Sequence, residues 1–401
     1  VVSIVAGDNE QITVTVPATT NAEFASLLLI AADGGSATLV AKGALATSGD
    51  VTVDARGILT LDKYEDTGVA PNRIGGNFVV KSGGKVTHSG PAATENAKVH
   101  LAVEGDFRIE EGGTINVSGK GYAMTKGPGG SGSGVLYESP TYGGRSDIGK
   151  ACYGSVFFPT NWGSGAQSAT GGGAVHLVVA GTLTVDGTVK ADGGGDGTYS
   201  GTGGSVWIEC AAITGAGTVS AREGPGNATD YSGSGGRVAV YQRTAKSFAA
   251  FPRARFLMWR VGVSGPGTLY LEHADKAAKG ADLIYDRGTL NAQYGSDFAM
   301  SWDGDPRQAY RNVNLIIGAH ASVMVMRNAA NEAQKVRIRS LLLETATSKL
   351  VLKANHLVVT DPEYRRDRDW AVGATIDNTD TYLTLPGSIR YIQNGSVLRL
   401  R

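Results

Sequence analysis

Apolar and polar positions alternate in short runs along most of this chain. Gln11-Ile12-Thr13-Val14-Thr15-Val16, Ser36-Ala37-Thr38-Leu39-Val40, Gly49 to Val53, Gly57 to Leu61 and Asn77-Phe78-Val79-Val80 each place every second residue on one face. That is the period of a half-buried β-strand. Gly-Gly, Asp-Gly and Ser-Gly pairs separate the runs and suit tight turns. Over 21–32 a helix capped by Asn21 competes with a strand at Ser26 to Ile30, and the flanking strand phrases favour the strand. No segment keeps a 3.6-residue apolar stripe through three turns. Strand-like segments continue at Gly267 to Leu271, Asn312 to Ile317, Ser322 to Met326, Lys349 to Leu352, Leu357 to Thr360, Tyr382 to Leu385 and Val397 to Leu400.

Two stretches are near copies: Val99-His100-Leu101-Ala102-Val103-Glu104-Gly105 and Val175-His176-Leu177-Val178-Val179-Ala180-Gly181. Each runs into a second strand (Asp106 to Ile109, Thr182 to Val185), a glycine turn and a third strand (Thr114 to Val117, Thr188 to Ala191). Looser copies start at Val206-Trp207-Ile208 and at Asp50-Val51-Thr52-Val53. Strand, turn, strand, turn, strand at a regular interval predicts a β-solenoid, in which short strands stack on their own repeats. The two Val-His-Leu phrases are then expected side by side. Residues 120–171 break the rhythm with Gly, Ser, Pro and aromatics, and predict one lateral insert, with the stack resuming near Ala174. The expected organisation is stacked strands over 1–119, the insert over 120–171, glycine-rich stacking over 172–242, and a continuous stack over 243–401. On this reading, deleting 122–168 leaves a soluble β-rich rod.

Composition narrows the function. Lys+Arg and Asp+Glu balance at 37 each, so no global field draws nucleic acid or an anionic membrane. The 58 glycines far exceed the usual ~7% without a collagen period, and are assigned to turns. Cys152 and Cys210 offer one disulfide and no zinc spacing. The longest apolar run, around Leu27 to Ala32, is too short to span a bilayer. A first residue other than Met, few cysteines and many small hydroxylated residues fit a secreted or cell-surface protein whose leader has been removed.

Hydrolase elbows, Walker loops and zincin motifs are absent from the sequence. Asp192 and Asp196 flank a glycine run that suggests a calcium turn. Calcium β-rolls need tandem copies, so a solvated turn is favoured. His100 and His176, at matched repeat positions, are read as a metal or proton site or, preferably, as one structural environment used twice. Asn378-Thr379-Asp380 resembles one fragment of the β-helical pectin hydrolases, but their Asp-Asp and Gly-His-Gly elements are missing. Arg365, Arg366 and Trp370 belong to a charged cluster suited to an acidic sugar, with a solvated loop preferred. Tyr142, Tyr153 and Trp162 in the insert offer a glycan or partner platform, against a near-equal reading in which they staple the insert to the stack.

The stretch from Gly119 to Tyr241 resembles a glycine-rich module of large bacterial surface, adhesin-like proteins. The resembling residues include Tyr142-Gly143-Gly144-Arg145, Tyr153-Gly154-Ser155, Gly171-Gly172-Gly173, Gly203-Gly204-Ser205-Val206-Trp207-Ile208 and Gly235-Gly236-Arg237-Val238-Ala239-Val240-Tyr241. The resemblance implies a right-handed parallel β-helix with coils of roughly 25 residues and an exported, non-catalytic role. It transfers no catalytic residue. The expected function is an extracellular structural or adhesive protein that self-associates through exposed strand edges, with Val1, Val2, Ile4 and Val5 as the assembly segment. The alternative is a polysaccharide lyase, hydrolase or glycan-binding module. No cofactor beyond the calcium candidate is expected.

Overall fold

The computed structural model describes residues 1–63, 70–131, 139–146, 150–226, 231–259, 264–287, 296–298, 310–326, 332, 335–352, 355–361, 369–377, 382–384, 390–392 and 396–398. The fold is all-β, with 43% strand and 3% helix, and its strands form long, mainly parallel sheets. The first sheet runs through Val2–Ala6, Leu27–Ala31, Val51–Val53, Phe78–Val80, Phe107–Ile109, Ala174–Val185, Ser205–Thr214, Arg237–Gln242, Thr268–Glu272, Ala281–Tyr285, Val313–Ile317 and Ser340–Leu343. The second runs from Gln11–Val16 through Thr188–Lys190 to Phe256–Leu257. The expected strand at Ser26 to Ile30 is present as Leu27–Ala31.

Alternation makes the core. Leu39, Leu59, Val86, Ile115, Val189 and Val219 hold one register column through the second sheet, and all are buried. Across from them, Val51, Phe78, Phe107, Leu183 and Ile213 hold a column of the first sheet, and both columns pack into one cluster. Phe78 and Phe107 stack at 4.5 Å, a pair worth about 0.5–1.5 kcal/mol beyond its burial. In the first sheet, registered positions in neighbouring repeats lie 24 to 32 residues apart, save for the step across the insert.

A side-chain ladder fixes the register at one corner. Asp50 accepts the Asn77 amide at 2.7 Å, Asn77 accepts the Asp106 amide at 2.9 Å, and Asp106 accepts the Thr182 amide at 2.7 Å. Each oxygen satisfies a backbone donor of the next repeat that would otherwise lack a partner. The last step spans 76 residues, so the ladder passes the insert unbroken. The Val-His-Leu phrases lie on adjacent strands in direct register, His100 opposite His176, and the strand after the insert begins at Ala174.

Among the described residues, the expected uninterrupted parallel stack is first reversed late in the first sheet. Thr268–Glu272 pairs antiparallel with Ala281–Tyr285 after a short helix at Lys276–Lys279 that ends at Gly280, φ +80°. A short connection can join only antiparallel neighbours. Each face is continuous across the reversal, with Leu269 opposite Ile284 and Tyr270 opposite Leu283, but the main core passes from one face to the other. Leu269, Leu271 and Ile284 belong to the first core. Tyr270, Leu283, Leu315 and Leu341 belong to a second core on the opposite face. Val323 and Leu350 of a third sheet and Val336 and Leu357 of a fourth complete that core. The fourth sheet ends in antiparallel pairs at Tyr382–Thr384, Arg390–Ile392 and Ser396–Leu398.

Three of the glycine clusters differ from their expected turn role, whereas Gly197 of the 193–197 cluster has a φ of +92° and serves a turn. None of the glycines in 171–173, 201–204 or 233–236 has a positive φ. They let backbones touch: a Cβ on Gly204 would lie 2.0 Å from the Gly173 carbonyl oxygen, and one on Gly236 would lie 2.1 Å from that of Gly204. Close main-chain approach, with no room for a methyl group, is the second physical reason for glycine.

Candidate functional site

The region of greatest chemical interest is the outward face of the first sheet where the insert crosses it. In register, His100, His176, Trp207, Ala239 and Tyr270 form one row across five strands. The His100 and His176 rings stack at 4.3 Å, and His176 and Trp207 at 3.7 Å within 5° of parallel. The imidazoles meet face to face, so their lone pairs do not converge on a shared ion. His176 Nε2 lies 3.3 Å from Glu209, which also accepts from Arg243 at 3.0 Å. The structural reading of the matched histidines is the one this geometry supports.

The insert lies over this face. Trp162 and Tyr142 are fully buried, and Tyr153 nearly so. The Trp162 indole N–H donates to the Ala97 carbonyl at 3.0 Å, and its backbone N–H donates to Glu95 at 2.9 Å. Its ring lies parallel to His88 with Tyr122 edge-on. Tyr142 hydrogen-bonds Ser205, and Tyr153 donates to the Trp162 carbonyl. Of the two near-equal readings of Tyr142, Tyr153 and Trp162, this geometry supports the staple over the glycan platform, because their faces are spent on packing. Among the described aromatics of the insert, Phe158 is the exposed one, at 54%, over Trp207 and Tyr241.

Arg237, which its sequence context does not single out, is the polar centre of this staple. It is fully buried. Its Nε–H donates to the Tyr153 carbonyl at 3.0 Å and a terminal N–H to Thr268 at 3.2 Å, with the Tyr142 ring 5.4 Å away. The insert carbonyls help solvate a cation whose burial would otherwise be costly. Cys152, Val156 and Phe157 continue into the second core beside Ala239 and Tyr270. The insert thus plugs the open start of that core.

The expected Cys152–Cys210 disulfide is not formed. Cys210 points into the first core and Cys152 lies in the second, so the sheet separates them. Burial pushes the Cys210 thiol up to about 12, leaving almost no nucleophilic thiolate near neutrality. Both thiols are expected to resist a small alkylating reagent in the native chain and to react together in guanidinium. Intact mass after alkylation checks this; two unmodified cysteines in denaturant would instead reveal a bridge.

The calcium candidates are engaged by protein groups. Asp192 accepts the backbone N–H of Arg222 at 2.9 Å and its guanidinium at 3.0 Å. Asp196 accepts the amides of Thr198 and Tyr199 within its own turn. Among the described residues, no group of three or more His, Cys, Asp or Glu is placed to hold a metal ion. Trp370 is half-buried against the second core and bridges Leu343. Arg365, Arg366 and the 378–380 fragment lie outside the described residues. No helix among the described residues is long and apolar enough to cross a membrane.

Burial sets the histidines low. His88 is pushed down to about 4, and His100, with His176 beside it, to about 3. His88 also accepts the Ala174 amide through Nε2, which requires a neutral ring. The unfolded imidazoles protonate near 6.5. The folded state binds fewer protons below that value, so its stability is complete above about pH 6.5 and falls as the pH drops toward 4. His88→Gln is expected to remove roughly 2–3 kcal/mol of this dependence between pH 6.5 and 4.5. Denaturant titrations at several pH values read the slope, and an unchanged slope would show that His88 does not carry it.

Comparison with protein-family models, with curated proteins and with solved structures gives no match.

Proposed function

We propose that this chain is a right-handed parallel β-helix with a structural or adhesive role outside the cell, and that copies associate through strand edges. The observation that carries this reading is the register of the first two sheets, held through strand after strand by apolar columns inside and the Asp50–Asn77–Asp106 ladder at the corner. Such a repeat gives length and stiffness in one dimension. Parallel crossovers within one sheet are right-handed in about 98% of cases, which supports the proposed hand.

The first strands supply the contact surface. Val2–Ala6 and Gln11–Val16 are the outermost strands of their sheets, with Val1 88% and Val5 57% exposed. Ile4, by contrast, is buried and faces the core. An exposed edge with apolar side chains accepts further strands, and a second copy is the proposed occupant. Light scattering and electron microscopy on the 401-residue chain at rising concentration test this. Fibres or oligomers lost in Val5→Lys/Val14→Lys would support assembly through this edge. A strictly monomeric particle at high concentration would overturn it.

A further inference from the structure

Beyond the assembly reading, and at a separate place, the sheet reversal leaves a polar cavity of about 490 Å³. It forms where the first core ends. Past Ile284, the face that was inward in the earlier strands turns outward. Two registered rows then cross three strands, Asp282–Asn314–Ser340 and Ile284–Ile316–Leu342. Leu283, Leu315 and Leu341 keep the other face buried in the second core, so the cavity floor is backed by packed side chains.

The polar row is wired from within. The Asn314 side-chain amide donates to Asp282 at 2.9 Å and to the Lys279 carbonyl at 2.9 Å, and its oxygen accepts from Ser340 at 2.8 Å. This orients the Asp282 carboxyl, whose affinity for its proton burial raises. Arg339 and Asp361, 3.5 Å apart, stand on the wall with Asp369. Ile316 and Leu342 supply the aliphatic part of the lining.

We propose that this cavity binds a neutral saccharide of one or two rings. Two cations and three carboxyl groups surround it, so no dominant field selects a strongly charged ligand. Vicinal hydroxyls match this set because they donate to carboxylates and accept from guanidinium at the same time. The C–H face of a pyranose suits the aliphatic floor. The volume lies within the ~300–1,000 Å³ of small-ligand sites.

Saturation-transfer NMR and calorimetry on the 401-residue chain test the proposal. The probes are neutral gluco-, manno-, galacto-, xylo- and N-acetylglucosamine tetrasaccharides, with oligogalacturonate as the anionic comparison. Saturable binding of a neutral probe is expected, weakened at least 10-fold by Asp361→Asn and by Ile316→Trp. Asp361→Asn keeps size and shape, so its result stands if the tryptophan variant fails to fold. Binding of oligogalacturonate alone, binding unchanged by the folded variants, or no binding of any neutral probe would each overturn the proposal.

Discussion

Replacing Trp162 by alanine is expected to remove about 4 kcal/mol of folding stability, within the range for a buried aromatic truncated in a core. Its indole is fully buried, lies parallel to His88 at 5.6 Å and meets Tyr122 edge-on at 5.8 Å. The truncation also leaves the Ala97 carbonyl without the indole donor, and an unsatisfied buried acceptor adds to the cavity cost. A residue on a lateral embellishment would change stability by less than about 0.5 kcal/mol. Denaturant unfolding monitored by far-UV circular dichroism separates the two. The same geometry reverses the expectation that a chain lacking 122–168 stays soluble. Arg237 would lose the carbonyls of Tyr142 and Tyr153, and the row from His176 to Tyr270 would be uncovered. Aggregation of that deletion is the expected outcome, and a soluble, cooperatively melting rod would show that the staple is dispensable.

The strands were legible because their alternation states directly which side chains are buried. Leu39, Leu59 and Ile115 each sit at the inward beat of a short run, and each is buried in the same column. The His100–His176 stack was legible for the same reason, since two identical phrases in a repeating fold occupy one environment. Its third member was visible too, because Trp207 stands in the looser copy Val206-Trp207-Ile208 where the others carry histidine. The corner ladder was missed, although it left a signal. Gly49-Asp50, Gly76-Asn77 and Gly105-Asp106 each precede a strand, although strand periodicity alone does not draw attention to a turn residue.

The reversal at Thr268–Glu272 and Ala281–Tyr285 was not legible. Alternation reads the same in either direction, so a pattern of buried and exposed positions carries no sign of a strand running backwards. The passage of the core from the Ile284 face to the Tyr270 face is likewise invisible to periodicity. The insert was obscure for another reason. Its backbone bonds to glycine segments far along the chain, as Gly143 does to Gly235 at 3.0 Å and the Ser164 carbonyl to the Thr202 amide at 3.0 Å. Such contacts leave no periodic side-chain trace. Nor could two isolated cysteines reveal that a sheet lies between them.

Glycine is where one residue type serves two needs, and substitution separates them. Gly203→Ala is expected to cost about 3 kcal/mol or more, at the upper end of overpacking penalties. Its new Cβ would lie 2.0 Å from the Ala221 carbonyl oxygen and 2.6 Å from the Gly236 nitrogen. Both are main-chain atoms in consecutive repeats, so relief requires moving whole strands rather than one rotamer. Gly83→Ala meets nothing closer than 3.5 Å, but its φ of +77° carries a left-handed strain of about 1–2 kcal/mol. Gly7→Ala has an ordinary φ and meets only the Glu10 carboxylate at 3.4 Å, so it is expected to stay within about 0.5 kcal/mol of the parent. Chemical denaturation of the three variants should rank them Gly203, Gly83, Gly7 in decreasing cost. If Gly203→Ala cost no more than Gly83→Ala, the clusters would be serving turns after all. If the ranking holds, the glycine-rich stretch is a packing surface that brings the insert's main chain against the sheet, and the buried position of Arg237 and Trp162 follows from it.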